Sequence, residues 1–158
     1  MSKIKIILVI FLLSTFYFLF STVFAATNID STYRYAWNDL IGWVDFNTTN
    51  NVNVSSTQLT GYASSSMGFI ALDCVTSPSG NICGTNDFKV LKDGSGNLSG
   101  YAWNDNIGWL SFSGTTTESQ VYGVSVSPSN GDFSGWAWND NVGWFSFNCN
   151  DSGAGGCS

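Results

Sequence analysis

The stretch Gly100–Phe112, GYAWNDNIGWLSF, decides the fold, because it returns twice almost unchanged. It reads GWAWNDNVGWFSF at Gly135–Phe147 and YAWNDLIGWVDF at Tyr35–Phe46. A fourth, eroded copy reads GYASSSMGFIAL at Gly61–Leu72. Self-similarity of this kind marks a repeat architecture. Tyr35, Tyr62, Tyr101 and Trp136 share one position, at intervals of 27, 39 and 35 residues, so loops of unequal length surround a fixed unit. In the eroded copy Ser64 and Phe69 replace the two tryptophans, and the turn is one residue shorter.

Each copy reads as a β-hairpin. Asn-Asp-x-Ile/Val-Gly is turn chemistry: the Asx side chains cap their own backbone, and the glycine tolerates positive φ. The run after the turn alternates. Leu110 and Phe112 oppose Trp109 and Ser111, and Phe145 and Phe147 oppose Trp144 and Ser146, which is the period of a strand with one core face. On the preceding strand Leu98, Gly100 and Ala102 share a face, as do Phe133, Gly135 and Ala137; small residues there leave room for bulky partners. A third strand precedes each hairpin. FKVL runs through Asp93-Gly94-Ser95-Gly96 into NLSGYAW, and VYGVSV runs through Pro128-Ser129-Asn130-Gly131 into DFSGWAW. NVNV at 51–54 plays this part for the eroded copy, while the first copy has little chain before it.

The expected fold is therefore all-β and antiparallel. Repeated three-strand meanders of about 35 residues, roughly eleven strands in all, form a sandwich or a barrel-like domain. The alternative is a small four-bladed propeller, disfavoured because blades usually carry four strands. One domain spans 26–158, with copies at about 29–48, 51–74, 87–113 and 120–149. Residues 49–58 and 114–119 are expected to be loops or linkers.

Composition sets the outer limits. The chain has 158 residues and no histidine, which removes Ser-His-Asp and Cys-His catalysis and imidazole metal sites. Its five basic residues do not make the cationic footprint of a nucleic-acid binder. Residues 1–25 read as a secretory signal: Lys3 and Lys5 form the positive region, an apolar run follows from Ile6 to about Phe20, and Val23 and Ala25 place small residues before a cut at Ala26. The rival reading is an uncleaved membrane anchor, the one way in which the chain would meet a membrane. Cleavage leaves Arg34, Lys89 and Lys92 against 11 acidic residues, a net charge of −8. The expected location is secreted or at the cell surface.

The cysteines fit the repeat frame. Cys74 follows the last strand of the second copy, and Cys149 holds the matching place in the fourth. Four cysteines allow three pairings. The frame favours the local one, Cys74–Cys83 and Cys149–Cys157, each closing a Gly/Ser-rich loop, and export makes disulfides feasible. A metal site is disfavoured by the long spacings and the lack of histidine. After Cys157 only Ser158 remains, where the repeat phase would begin another copy; either the protein ends there or the chain is part of a longer array.

GYAWNDNIGWLSF and GWAWNDNVGWFSFNC resemble the Gly-Trp-Ala-Trp-Ser-x-Asn-Ile-Gly-Trp-Ile-Ser-Phe repeats of secreted proteins in uncultivated, small-genome bacteria such as Parcubacteria. In those repeats a paired-cysteine insertion often follows the Phe-Asn-Cys segment. The resemblance runs from about Tyr35 to Cys157, and the second copy departs from it at Ser64, Ser66 and Phe69. It implies an extracellular or cell-surface repeat protein and carries no activity with it.

Two chemistries compete with plain architecture. The aromatic set Tyr35, Trp37, Trp43, Tyr101, Trp103, Trp109, Trp136, Trp138 and Trp144 shares a face with Asp45, Ser111 and Ser146, and such rings stack on sugars. The plainer reading is cross-strand ladders and a second core layer between sheets, which every repeat would need. Asp39, Asp105 and Asp140 recur in the turns, and calcium takes such oxygen ligands, but Asn-Asp is ordinary turn chemistry and each turn offers one carboxylate. Eleven acidic residues always permit some pair, yet none is singled out as a catalytic carboxylate, and Glu118 lies in a Thr/Ser-rich linker. Four glycosylation sequons, at Asn47, Asn53, Asn97 and Asn150, are no more than an Asn/Ser/Thr-rich chain produces by chance. No catalysis and no cofactor are expected. The reading is a secreted structural or cell-surface interaction module, with a surface glycan or another protein as partner; the alternative is a glycan-binding module using the tryptophans as its platform.

Overall fold

The computed structural model describes residues 26–84, 87–148 and 151. The expected signal segment 1–25 and the expected Cys149–Cys157 pairing lie outside the described residues. In chain order the strands are β1 (Tyr35–Asn38), β2 (Gly42–Asp45), β3 (Asn53–Val54), β4 (Gln58–Thr60), β5 (Tyr62–Ser65), β6 (Gly68–Ala71), β7 (Val90–Lys92), β8 (Leu98–Asn104), β9 (Gly108–Ser111), β10 (Ser113–Thr115), β11 (Val121–Val126), β12 (Phe133–Asn139) and β13 (Gly143–Ser146). The fold is all-β and antiparallel. The four repeat copies are the hairpins β1β2, β5β6, β8β9 and β12β13. They stand side by side: β2 pairs β5, β6 pairs β8, β9 pairs β12, and β13 returns to β1. Eight strands thus close into a barrel, and the sheet has no edge in that tier.

The third strand of each meander lies outside the closed ring. β7 pairs only the first half of β8, with Val90 opposite Gly100, while the second half of β8 pairs β9 within the barrel. β11 treats β12 in the same way, with Val124 opposite Gly135. β3 and β4 extend the first of these outer ladders, and a bridge between Asn97 and Ser125 ties it to the second. Thirteen strands are present among the described residues rather than eleven. Gly61 separates β4 from β5, and β10 forms at the start of the expected 114–119 linker, where Ser113–Thr115 pairs Val121–Gly123. Ordinary polar residues make that strand because β11 offers them an unpaired backbone edge.

The glycine that opens the motif has a job other than leaving room for bulky neighbours. Gly61, Gly100 and Gly135 all have φ near 90°, where each strand kinks from the outer ladder into the barrel. A Cβ on Gly100 would lie 2.3 Å from the Lys89 carbonyl oxygen, and one on Gly135 would lie 2.1 Å from that of Gly123. The first copy has no outer strand, and there Arg34 holds the equivalent place; its carbonyl accepts from Phe46 as Gly135 accepts from Phe147.

The barrel is filled in layers. Ala36, Ala63, Ala102 and Ala137 face inward directly opposite Val44, Ile70, Leu110 and Phe145, so every hairpin contributes one small and one large side chain, all buried. The next layer is Phe46, Leu72, Phe112 and Phe147, with the Phe147 ring packed at a tilt against Phe46 and Phe112 at 5.6 and 5.5 Å. Val52, Leu59, Val90, Leu98, Val124 and Val126 from the outer strands close this end.

At the turn end the asparagine of the motif closes the wall. Asn139 is buried; its Oδ1 accepts from the Asn141 and Val142 amides, which is the expected turn cap. Its Nδ2 meanwhile donates to the Ile107 and Trp109 carbonyls of the preceding hairpin, at 2.9 and 2.7 Å. Asn104 donates in the same way to Met67 and Phe69, and Asn38 to Val142 and Trp144, joining the first hairpin to the last. Only the seam before the eroded copy lacks this clasp. Ser65 caps its own turn there, and the Ser66 hydroxyl reaches the Ile41 carbonyl at 2.7 Å.

Candidate functional site

Strand alternation sends the second aromatic set to the outside of the barrel. Trp37 lies opposite Trp43, Trp103 opposite Trp109 and Trp138 opposite Trp144. Each pair meets edge to face with centroids 4.7 Å apart and planes 61–64° apart. A third ring leans on the second tryptophan of each pair: Tyr35, Tyr101 and Trp136. The eroded copy keeps the geometry with Tyr62 and Phe69. The rings form cross-strand ladders, but they do not lie between sheets. Trp43 is 60% exposed, Tyr101 52%, Trp109 40% and Trp144 37%, while Trp103, Trp136 and Trp138 are half-buried. Phe88 and Tyr122 cover part of Trp109 and Trp144; no described ring does the same for Trp43 beyond its own ladder.

The turn carboxylates are spoken for by these rings. The indole N–H of Trp37 donates to Asp39 at 2.9 Å, and those of Trp103 and Trp138 donate to Asp105 and Asp140 at 2.8 Å. Trp-Asn-Asp therefore divides its work: the indole and carboxylate lock each other outside while the asparagine between them points in. Asp39, Asp105 and Asp140 sit on separate turns and form no cluster among the described residues. The one group of three ligand-type side chains described there is Cys74, Cys83 and Asp87. Cys74 and Cys83 are joined in a disulfide, with Cα atoms 5.0 Å apart, which leaves no thiolate for a metal.

The disulfide loop folds back over the outer face of the barrel. Between it and the seam of β6 and β8 lies a cleft of about 300 Å³. Met67, Phe69, Pro78, Ile82 and Trp103 give it apolar walls, and Asp105 and Asn106 stand at its rim. Beneath the loop, Ala71, Cys74 and Phe88 form a small core of their own. Opening the loop with Cys74→Ser and Cys83→Ser together is expected to cost about 2 kcal/mol by the loop-entropy argument, read as a lower urea midpoint. The effect should fall on the cleft first, seen as faster amide exchange at Cys74 and Ile82, whose amides bond Phe88 and Cys74 carbonyls.

Charge is concentrated at the start of the first copy. Arg34 pairs with Asp45 at 3.3 Å and lies over the Tyr35 ring at 5.0 Å. Burial works to raise the Asp45 carboxyl, but bonds from the Thr48 hydroxyl and the Asn47 and Thr48 amides, with the Arg34 charge, outweigh it and hold it below 3.8. The Asp93 carboxyl is also lowered, by bonds from Asn97. A carboxyl lowered on folding stabilises above its unfolded value, and that stability is lost as pH falls through the folded one. Asp151 opposes them, since burial raises its carboxyl despite the bond from the Gly135 amide. With Asp45 and Asp93 lowered against one group raised, the melting midpoint should fall as pH drops below about 4. Asp45→Asn should flatten that fall; an unchanged acid slope would remove Asp45 from the account.

Comparison of the chain with family models, with characterised proteins and with solved structures returned no match. Among the described residues no helix is long and apolar enough to cross a membrane.

Proposed function

We propose that the chain is a secreted, non-catalytic interaction module whose contact face is the aromatic belt outside the barrel. The observation that supports this most is the exposure of Tyr35, Trp37, Trp43, Phe69, Tyr101, Trp109 and Trp144 on a wall whose interior is already filled. Large rings gathered on a surface and left exposed there are the composition of a contact site. The Cys74–Cys83 disulfide is compatible with an oxidising, extracellular setting, as the signal segment implies. Fractionation of producing cells should find the chain outside the cytoplasm, starting at Ala26; an intact leader on cytoplasmic protein would defeat the secreted reading.

A second reading, glycan binding, is favoured by one detail. Trp43 presents its ring to solvent beside the Trp37–Asp39 pair, so a stacking face and a carboxylate oxygen stand together. Binding to a glycan array that disappears in Trp43→Ala would support it. Since that ring is over half exposed, its truncation is expected to cost only about 1 kcal/mol of stability. Arrays without signal, and tryptophan fluorescence unmoved by oligosaccharides, would sink the glycan reading and leave a protein partner.

A further inference from the structure

We propose that the cleft under the disulfide loop binds an alkylammonium group. Its walls supply aromatic rings and apolar contact from Phe69, Trp103, Met67 and Ile82. Two of its side-chain donors are used internally, the Asn106 amide nitrogen on the Met67 carbonyl at 2.9 Å and the Ser77 hydroxyl on the Gly80 carbonyl at 2.6 Å, which leaves the Ser79 hydroxyl. The buried Asn104 beneath has both ends of its amide engaged. What stays open is acceptor capacity. Asp105 takes the Trp103 indole N–H on Oδ1, and Oδ2 has no protein partner among the described residues. No lysine or arginine lines the cleft.

Those features select a charge. A phosphate or carboxylate would meet Asp105 with no cation to offset it, on a chain of net charge −6. A sugar would find few donors for its acceptor oxygens. An ammonium group needs only acceptors and aromatic faces, and gains from both. The protein builds this arrangement once for itself, where Arg34 lies between the Tyr35 ring and Asp45. The cleft lies against the eroded second copy, where Phe69 replaces the larger indole and the turn that carries Met67 is one residue shorter. The cleft shares Phe69 with the aromatic belt, but the belt's Trp43, Trp109 and Trp144 lie outside it, so a titration followed at the Trp103 indole separates the two readings.

The test is a titration of the full chain followed by its indole N–H resonances. The probes are choline chloride, N-acetyl-lysine amide, glucose and sodium chloride, with ionic strength matched for the charged ones. The expected result is a saturable shift at the Trp103 indole with an ammonium probe and none with glucose or sodium chloride. Saturation by choline points to a free small cation; saturation by the lysine amide alone points to the side chain of a partner; either upholds the proposal. Asp105→Asn keeps an acceptor for the indole and should weaken binding about tenfold without moving the melting midpoint. Phe69→Leu, at an exposed ring, is the second variant should the first fold poorly. Absence of saturation by both ammonium probes, an equal response to glucose, or unchanged affinity in both variants would overturn it.

Discussion

Gly135→Ala is expected to lose about 4 kcal/mol of unfolding free energy. Two costs combine. The residue sits at φ 90°, where an L side chain is strained by about 1–2 kcal/mol. The new Cβ would also stand 2.1 Å from the Gly123 carbonyl oxygen, and a backbone atom cannot swing aside as a side-chain tip can. β11 would have to leave β12, taking with it the ladder from Val124↔Gly135 to Val126↔Phe133. Two controls separate the costs. Gly131 has φ 81° but open space around it, so Gly131→Ala should show the strain alone, about 1 kcal/mol. Gly94 has neither constraint, and Gly94→Ala should be neutral or stabilising by about 0.5 kcal/mol. Urea midpoints that are equal for Gly135→Ala and Gly131→Ala would refute the close-approach explanation.

Asn139→Ala comes next, at about 4 kcal/mol or slightly less. The side chain is buried and makes four hydrogen bonds, two received from its own turn and two given across the seam. Truncation takes the Asn139 donor from the Trp109 carbonyl and one of two side-chain donors from the Ile107 carbonyl, which Asn141 still serves at 2.9 Å; a buried carbonyl left short costs about 1–3 kcal/mol. Asn139→Ser should fall between the two. Ser65 shows what a serine retains here: it caps the Met67 amide at 3.2 Å but sends nothing across the seam. Hydrogen exchange gives the discriminating readout. If the clasp holds hairpins together, the alanine variant loses protection along β9 and β12 before the rest of the barrel. Uniform loss of protection would mean that the residue only caps its turn.

These two residues also show where sequence reading works and where it stops. The hairpins were legible because their causes are local: a glycine at φ near 80° closes each turn, and alternation over four residues sorts inside from outside. The Asn-Asp turn was legible for the same reason. The second half of the asparagine's work was not, since its partners lie 30 to 106 residues away. The opening glycine was read as making room, whereas its cause is a neighbouring backbone placed there by the tertiary fold. Closure of the ring could not be read from any one copy, because the β13–β1 seam joins the first repeat to the last. The outward rings were anticipated as ladders, but their exposure depends on there being one barrel rather than two facing sheets. The cleft was missed. Its signal lies in the substitutions that erode the second copy together with the cysteine loop that follows them.

The Asn38 clasp has a consequence for the order of events in folding. Its two donations span 104 and 106 residues, whereas the other two asparagine clasps span 30 to 37. By loop-closure entropy alone the longer span adds only about 1 kcal/mol. The burden lies in timing. A chain made from its N-terminus can assemble three hairpins in succession, each on the one before, and still hold an open, curved sheet with β1 and β9 unpaired along its two margins. Such margins are templates for any other extended chain nearby. Only when Val142 and Trp144 arrive can the last hairpin fill the gap and remove both at once. The closed wall is therefore the last feature acquired, and until then the nascent protein is at its most prone to pair with a neighbour.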